Sequence, residues 1–453
     1  MACKNACPVG AIGQRIDKYG FIMPCVDRDK CIGCGACTKV CPTGMCRMFS
    51  SSAESDASKS ACKIADADKS ACKIANASKS SCEISDNNKS ACNKAATHPL
   101  AAFSAYHKDQ KVQRISSSGG AFYALAKNVI DNGGIVFGCR YDVERKTAEL
   151  VDTDTYPLES ILTSKYVESY IGNGLKKVRE EVLKGRRVLF CGTPCQTAGA
   201  ARYIEKTVNI CDDKNNVDTG NDRLKSLPDN LLLVDFTCGA VSAQPPLRSH
   251  LRGLEEKYGA PATRMSFRDK DYGWGQYAFT VEFENGKKYR RTAMSDPYFW
   301  CFLRSSAQRL SCHGCKFSAD HKSDIVLADF WRCYQFDVDR NDSEGKRKGI
   351  SLVLAMTPKG LNAIEDTKGM LHLEELDIEK ASYNLTPRKL NRSKLPEIRR
   401  DQYMANKKGV RYLRRRILTP KERLHFAFRQ FVMERPCLRR LFPGIVGNGQ
   451  IVR

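Results

Sequence analysis

The chain has 453 residues, with 74 Lys and Arg against 51 Asp and Glu for a net charge of +23, and 22 cysteines. That length supports two or three domains with at least one sizeable core, which excludes the small disulfide-stapled secreted class despite the cysteine count. No uninterrupted apolar run approaches the ~18 residues of a membrane span. No leader-like segment is legible at the start and the cysteines sit in ligand spacings, so a reducing cytoplasm is expected.

Residues 1–49 form the first segment and carry a dense cysteine motif. Cys31-Ile-Gly-Cys34-Gly-Ala-Cys37-Thr-Lys-Val-Cys41-Pro42 sets three cysteines two residues apart, a fourth three later, then proline. This is the bacterial ferredoxin ligand pattern. Gly33 and Gly35 let a short loop wrap one face of a cubane, because glycine accepts backbone angles that other residues avoid. The rival is a structural zinc site, which usually needs two separated Cys-x2-Cys pairs rather than one dense run. In two-cluster ferredoxins the proline-adjacent cysteine ligates the other cluster. Cys7, in Cys3-Lys-Asn-Ala-Cys7-Pro8, therefore completes a 4Fe-4S cluster with Cys31, Cys34 and Cys37. Cys41 then pairs with Cys3 on a second cluster that lacks its first two ligands. Either the true start lies upstream, or that cluster is absent, or Cys25 or Cys46 substitutes; a truncated or rearranged start is the favoured reading.

Residues 50–98 change character. Lys59-Ser-Ala-Cys62-Lys-Ile-Ala recurs at Lys69, Lys79 and Lys89 with a period of ten, bringing Cys72, Cys82 and Cys92. Ten fits none of the 20–50-residue repeat architectures. So few apolar groups cannot offset the entropy of ordering. A disordered linker is expected, and the repeat cysteines receive no site.

A globular pattern returns from about Leu100 and divides into segments 99–180 and 181–385. Ser116-Ser-Ser-Gly-Gly120 precedes a predicted serine-capped helix over Ala121–Ile130, ended by Asn132-Gly133-Gly134. Strands are predicted at Ile135–Cys139, Arg187–Phe190, Leu231–Phe236, Ile325–Phe330 and Gly349–Met356. Asn285-Gly286 signals a hairpin. The fold class is α+β: a small ferredoxin-like domain, the linker, then a mixed α/β region. The final segment, 386–453, reads as a basic helical tail. From Pro387 onward it carries 19 Lys and Arg against 4 Asp and Glu. Such a field attracts an acidic protein or an anionic membrane surface, with a plain solvated tail as the alternative; over Gly409–Leu441, where arginines mix with Leu, Phe and Val at helical spacing, a helix packed on its own domain is the more ordinary outcome, and no specific nucleic-acid site is expected.

Cysteines gather at strand ends. Cys191 and Cys195 follow one strand, Cys238 follows another, and Cys312-His-Gly-Cys315 has chelating spacing. Strand ends in α/β sheets are where cofactors collect. Cys195, Cys238, Cys312 and Cys315 would together make a further cluster, although a lone Cys-x2-Cys also occurs in zinc sites and dithiols. Cys139, Cys301, Cys333 and Cys437 read as inert buried thiols.

At this point the chain, from Lys111 to about Lys359, resembles the coenzyme F420 hydrogenase/dehydrogenase beta-subunit family in its bacterial form with an N-terminal ferredoxin domain. The resemblance rests on Ser116–Gly120, Ser164-Lys165-Tyr166, Val188–Gln196, Phe267-Arg268-Asp269-Lys270 with Gly273-Trp274, Cys312-x2-Cys315-Lys-Phe, and Ser323-Asp-Ile with Asp329-Phe330-Trp331. It implies a cluster on cysteines such as Cys195, Cys238, Cys312 and Cys315. It also implies FAD beside Ser117, Ser118, Gly119, Gly120, Ser164, Lys165, Tyr166 and Asp329. Amides and hydroxyls at the start of the helix would face a phosphate, and Lys165 would supply positive charge to a pyrophosphate or a reduced flavin. Arg268 and Lys270 could bind an acidic substrate, although a charged loop would look the same. Two segments depart from the family: Cys238-Gly-Ala-Val-Ser-Ala lacks the usual histidine and proline, and Ala328-Asp-Phe-Trp-Arg332 lacks both flanking glycines.

The expected function is an iron–sulfur flavoprotein oxidoreductase. Electrons from a ferredoxin or similar carrier would pass through one to three 4Fe-4S clusters to FAD and an organic substrate. The rivals are an electron-transfer subunit feeding a partner enzyme and a degenerate family copy.

Overall fold

The computed structural model describes residues 2–43, 98–208, 227–333 and 349–442. Cys46, the four repeat cysteines and Cys211 lie outside the described residues.

Strand β1 (Ile12–Ile16) pairs antiparallel with β2 (Ile22–Val26), in register from Ile12↔Val26 to Ile16↔Ile22. Asp17 closes the turn by accepting from the amides of Tyr19 and Phe21, each at 2.9 Å. The cysteine-bearing loops flank this hairpin, and Gly33 and Gly35 both adopt φ of 68°. The loop thus uses the left-handed conformation that the spacing of its glycines predicts.

The other strands are β3 (Ala101–His107), β4 (Ile135–Asp142), β5 (Thr147–Asp152), β6 (Val188–Cys191), β7 (Leu231–Phe236), β8 (Ala262–Asp269), β9 (Ala278–Phe283), β10 (Lys288–Thr292), β11 (Ile325–Asp329), β12 (Ser351–Ala355) and β13 (Leu371–Glu375). An eight-stranded mixed sheet runs β13-β3-β12-β11-β7-β6-β4-β5. Its centre, β4-β6-β7-β11, is parallel, and antiparallel strands extend both sides. The parallel strands are apolar runs such as Val-Leu-Phe and Leu-Leu-Leu-Val, as burial on both faces requires. A separate antiparallel sheet, β10-β9-β8, carries the Asn285-Gly286 turn, where Gly286 has φ of 76°. Its inner face joins Tyr298, Phe299 and Trp300 in an aromatic core.

One expectation changes. The helix Ala121–Asp131 has no serine cap, because Gly120 occupies the N-cap at φ of 99° and makes no side-chain bond. Ser116 Oγ instead donates back to Val112 O at 2.8 Å. The basic tail folds into the helices Leu395–Lys408, Val410–Ile417, Pro420–Met433 and Pro436–Leu441. Val410, Leu413 and Leu418 enter the aromatic core, so part of the tail packs on the body.

The β1–β2 module is docked. Ala2 and Val40 share a core with Phe137, Phe190 and Ile204. The helix Pro194–Val208 presents Gly199, where an added Cβ would lie 3.5 Å from both Ala2 Cβ and Pro42 Cγ. Small residues on that helix face are what admit the module.

Candidate functional site

The carboxyl ends of β6, β7 and β11 lie along one edge of the large sheet, because these strands are mutually parallel. β3 reaches the same edge, since two antiparallel steps separate it from β11. The thiols and the serine-glycine segment therefore converge by topology.

Cys195 opens the helix after β6, Cys238 follows β7, and Cys312 and Cys315 sit in two short turns ahead of β11. Burial pushes the Cys238 thiol well up, and Cys312, Cys195 and Cys315 add to that shift. Burial likewise raises Cys312 to about 11, with Cys195 and Cys315 contributing, and Cys315 is raised by burial and by Cys195. Every pair among these four thiols is thus close enough to interact. Mutual repulsion in a buried site is relieved when a bound cation takes the thiolates, which inverts the local pKa logic. Arg388 ties the loops together: its Nη2 donates to Cys238 O at 2.7 Å, its Nη1 to Gly239 O, and its amide to Ser318 Oγ at 3.0 Å. Ser318 Oγ in turn donates to Cys315 O at 2.9 Å. Among the described residues, no three His, Cys, Asp or Glu converge as closely as one bound metal ion requires. A cubane takes one thiolate at each of its four corners, and four thiols from three loops supply that number.

At the front, Cys3 and Cys41 are buried, Cys7 and Cys37 half-buried, and Cys31 and Cys34 exposed. Burial raises the Cys37 thiol, with Cys3 and Cys34 both adding to the shift. Cys37 therefore lies within reach of a thiol from each half of the motif. Cys25 sits within β2 opposite Gly13. Cys41 is held against the body by Arg202, whose Nη1 donates to Cys41 O at 2.6 Å. The Cys41 thiol also acts electrostatically on Lys316, the neighbour of Cys315. The front motif thus abuts the inner four-thiol set, a juxtaposition that no sequence spacing reveals.

The segments expected to hold a flavin also meet, around Arg268. Its guanidinium donates to Tyr166 Oη at 3.2 Å, to Ser117 O at 3.1 Å and to Asp329 Oδ1 at 2.8 Å. Trp274 Nε1 donates to the same Asp329 oxygen at 3.1 Å and stacks on Trp331 with ring centroids 4.3 Å apart. Ser117 Oγ accepts from Ser164 N at 2.7 Å. Burial lowers Lys165 to about 8, opposed by Cys139 and Cys191, and its Nζ donates to Leu162 O at 2.5 Å. The start of the helix, by contrast, does not form an open phosphate cradle. Ser118 Oγ donates to Ile350 O at 2.6 Å and Gly119 N to Ser351 Oγ at 3.0 Å. An added Cβ on Gly119 would fall 2.2 Å from Ala105 O, so this glycine serves the close approach of β3 and β12. Arg268 Nε remains buried without a partner, which leaves one unspent donor where the segments meet. Of the two family departures, Arg332 places its guanidinium 4.3 Å from the Tyr383 ring centroid, and Ala240 enters the aromatic core.

Residues 185–380 match the family model for the C terminus of the coenzyme F420 hydrogenase/dehydrogenase beta subunit, and residues 1–45 match that of the 4Fe-4S dicluster domain. The probable iron-sulfur subunit encoded in the Frd operon of Proteus vulgaris is 46% identical over 48 residues, which span 11% of this chain and 27% of that protein. A chain from the F420-reducing NiFe hydrogenase complex of Methanosarcina barkeri aligns with 15% identity and a TM-score of 0.40 over 69% of this chain and 91% of that one.

Proposed function

We propose that this protein is an electron-transfer oxidoreductase, because residues 185–380 match the model for the C terminus of the coenzyme F420 hydrogenase/dehydrogenase beta subunit and residues 1–45 match that of the 4Fe-4S dicluster domain. Cys7, Cys31, Cys34 and Cys37 would hold a front 4Fe-4S cluster facing a reduced carrier of ferredoxin type, and Cys195, Cys238, Cys312 and Cys315 would hold an inner one. The Arg268 centre would hold FAD, which would supply two-electron chemistry toward an organic substrate. The observation that carries this reading is the mutual interaction of four thiols from three separate loops at the carboxyl edge of a parallel sheet. The clusters would move single electrons and the flavin would pair them.

The chain's own work is positional. Arg388 holds two of the thiol-bearing loops and puts one positive charge beside them. Arg202 and Gly199 keep the Cys41-Pro42 corner on the helix that begins with Pro194 and Cys195. Lys165 and Arg268 bring cationic groups to the Ser117 and Tyr166 region, and Asp329 fixes Arg268 in place. A cytoplasmic setting accords with cysteines placed in ligand spacings. Among the described residues no helix is long and apolar enough to cross a membrane. The match to a beta-subunit model supports a second reading, in which electrons leave to a partner enzyme rather than to a free substrate.

Anaerobic purification followed by iron, sulfide and flavin determination tests the proposal. Iron with equal sulfide and one flavin per chain is expected. Zinc in place of iron removes the electron path, and iron without flavin leaves only the electron-relay reading.

A further inference from the structure

Beyond the thiol edge, a cleft of about 740 Å³ opens beside the outer strand β10. Six cationic side chains line it: Arg114, Lys257, Lys288, Arg290, Arg291 and Arg439. Only Asp271 and Glu434 oppose them. Asp271 is already engaged by Arg290 and by Arg114, the latter at 3.4 Å. Lys288 pairs with Glu282 at 3.0 Å, and Glu434 accepts from Gln430 Nε2 at 2.8 Å. Among the described residues, Lys257, Arg291 and Arg439 have no carboxylate within ion-pair distance, and Arg439 Nε is buried without a partner. These three cations come from three different elements, and none of them is ion-paired with a carboxylate among the described residues. Tyr258, Tyr272 and Tyr289 supply the aromatic part of the wall, with the Arg290 and Arg439 guanidinium carbons 5.8 and 5.5 Å from the Tyr272 ring centroid.

The cleft adjoins the Arg268 centre along two covalent connections. Arg114 lies on the helix Gln110–Ile115, which runs directly into Ser116–Gly120. Asp271 and Tyr272 directly follow Lys270, whose Nζ donates to Gln113 O at 2.8 Å and Ser118 O at 2.6 Å. The cleft and the segments assigned to the flavin thus share two stretches of chain. The volume is in the ordinary range for a small organic ligand rather than for a docked protein. Guanidinium groups fixed in this way favour phosphoryl or carboxylate oxygens, which they can engage bidentately.

We propose that this cleft binds a small organic molecule bearing two or more clustered phosphoryl or carboxylate charges, and that this molecule is the electron acceptor or donor of the adjacent redox centre. The inference rests on the oxidoreductase reading for the second clause and on the cleft alone for the first. Lys257, Arg291 and Arg439 hold the anionic end, and Tyr272 lines the passage toward Lys270.

Titration calorimetry of the full chain with tripolyphosphate at two salt concentrations tests it. Saturable one-site binding that weakens with salt is expected. The double variant Arg291→Gln with Arg439→Gln should weaken binding by about tenfold or more, since each loses a charge-assisted bond. Lys257→Gln, on the exposed rim, should cost less, and Lys421→Gln, elsewhere on the basic tail, should leave binding unchanged. If the double variant does not fold, Lys257→Gln alone decides the matter by binding more weakly than wild type. Absence of saturable binding to wild type, or undiminished binding in Lys257→Gln and the double variant, overturns the proposal. Iron and flavin are assayed on the same preparation. Binding without iron sinks the redox reading and spares the cleft, whereas full iron without binding does the reverse.

Discussion

Single side chains decide most of the chemistry. Cys315→Ser removes one corner of the inner four-thiol set and is expected to lower bound iron by roughly four atoms per chain while leaving the front cluster in place. Iron analysis with paramagnetic resonance of the reduced protein checks this; unchanged iron would show that Cys315 is not a ligand. Arg388 lies within electrostatic reach of Cys238 and Cys315, where it counters the rise of both thiols. Removing a positive charge beside a cluster favours its oxidised form, so Arg388→Gln should shift the inner midpoint potential to more negative values, read by redox titration. Lys165 makes a pH prediction. Burial holds its folded pKa near 8, below that of the unfolded chain, so between about 8 and 10.4 the unfolded state binds more protons and stability rises with pH. Below that window the full penalty for the buried charge is present. Lys165→Met should therefore gain stability over wild type at pH 7 and lose that advantage by pH 10, as urea unfolding will show. A constant difference across this range would contradict the assignment.

Elements show which features were legible in the chain and which were not. The strand Leu231–Phe236 and the hairpin at Asn285-Gly286 can be read directly, because unbroken apolar runs and turn residues are local signals. The four inner cysteines could be grouped from their positions at strand ends. Their full mutual interaction, however, depends on sheet order, which is a long-range property. β3 is harder to read: Ala101–His107 has small residues and little alternation, yet it lies between β13 and β12. The Ser-Ser-Gly-Gly segment illustrates the same limit. In sequence it looks like a phosphate-binding helix start, whereas Gly119 is in fact where β3 and β12 press on the chain. Gly119→Ala would force a Cβ to within 2.2 Å of Ala105 O and 2.8 Å of Ser351 N. Overpacking of this kind costs about 1–3 kcal/mol. A fall in the unfolding midpoint with cluster content retained is expected, and an unshifted midpoint would mean that the contact relaxes freely.

At the scale of the whole molecule, the question is how a small front module comes to serve a site on a separate sheet. The docking is polar as well as apolar. Glu168 accepts from Ile22 N at 2.9 Å and from Arg309 Nη2, and Arg309 Nη2 donates to Ile22 O at 3.1 Å. Arg309 also lies 4.8 Å from the Phe21 ring centroid. The backbone of the same arginine donates its amide to Val241 O and accepts from Cys312 N, so one residue links the front hairpin to the inner thiol loops. Removing one partner of such a buried pair leaves the other uncompensated, at a cost on the order of 3 kcal/mol. Glu168→Ala should therefore loosen the front module without touching any thiol. Its iron content should equal that of wild type, but reduction of the inner cluster by a reduced ferredoxin should slow, because the Cys41 corner would no longer be held beside Lys316. Rapid-mixing absorbance, with the front cluster's own reduction as the internal control, separates the two steps. An inner rate equal to that of wild type would mean that electrons reach the sheet edge by a route that does not cross this interface.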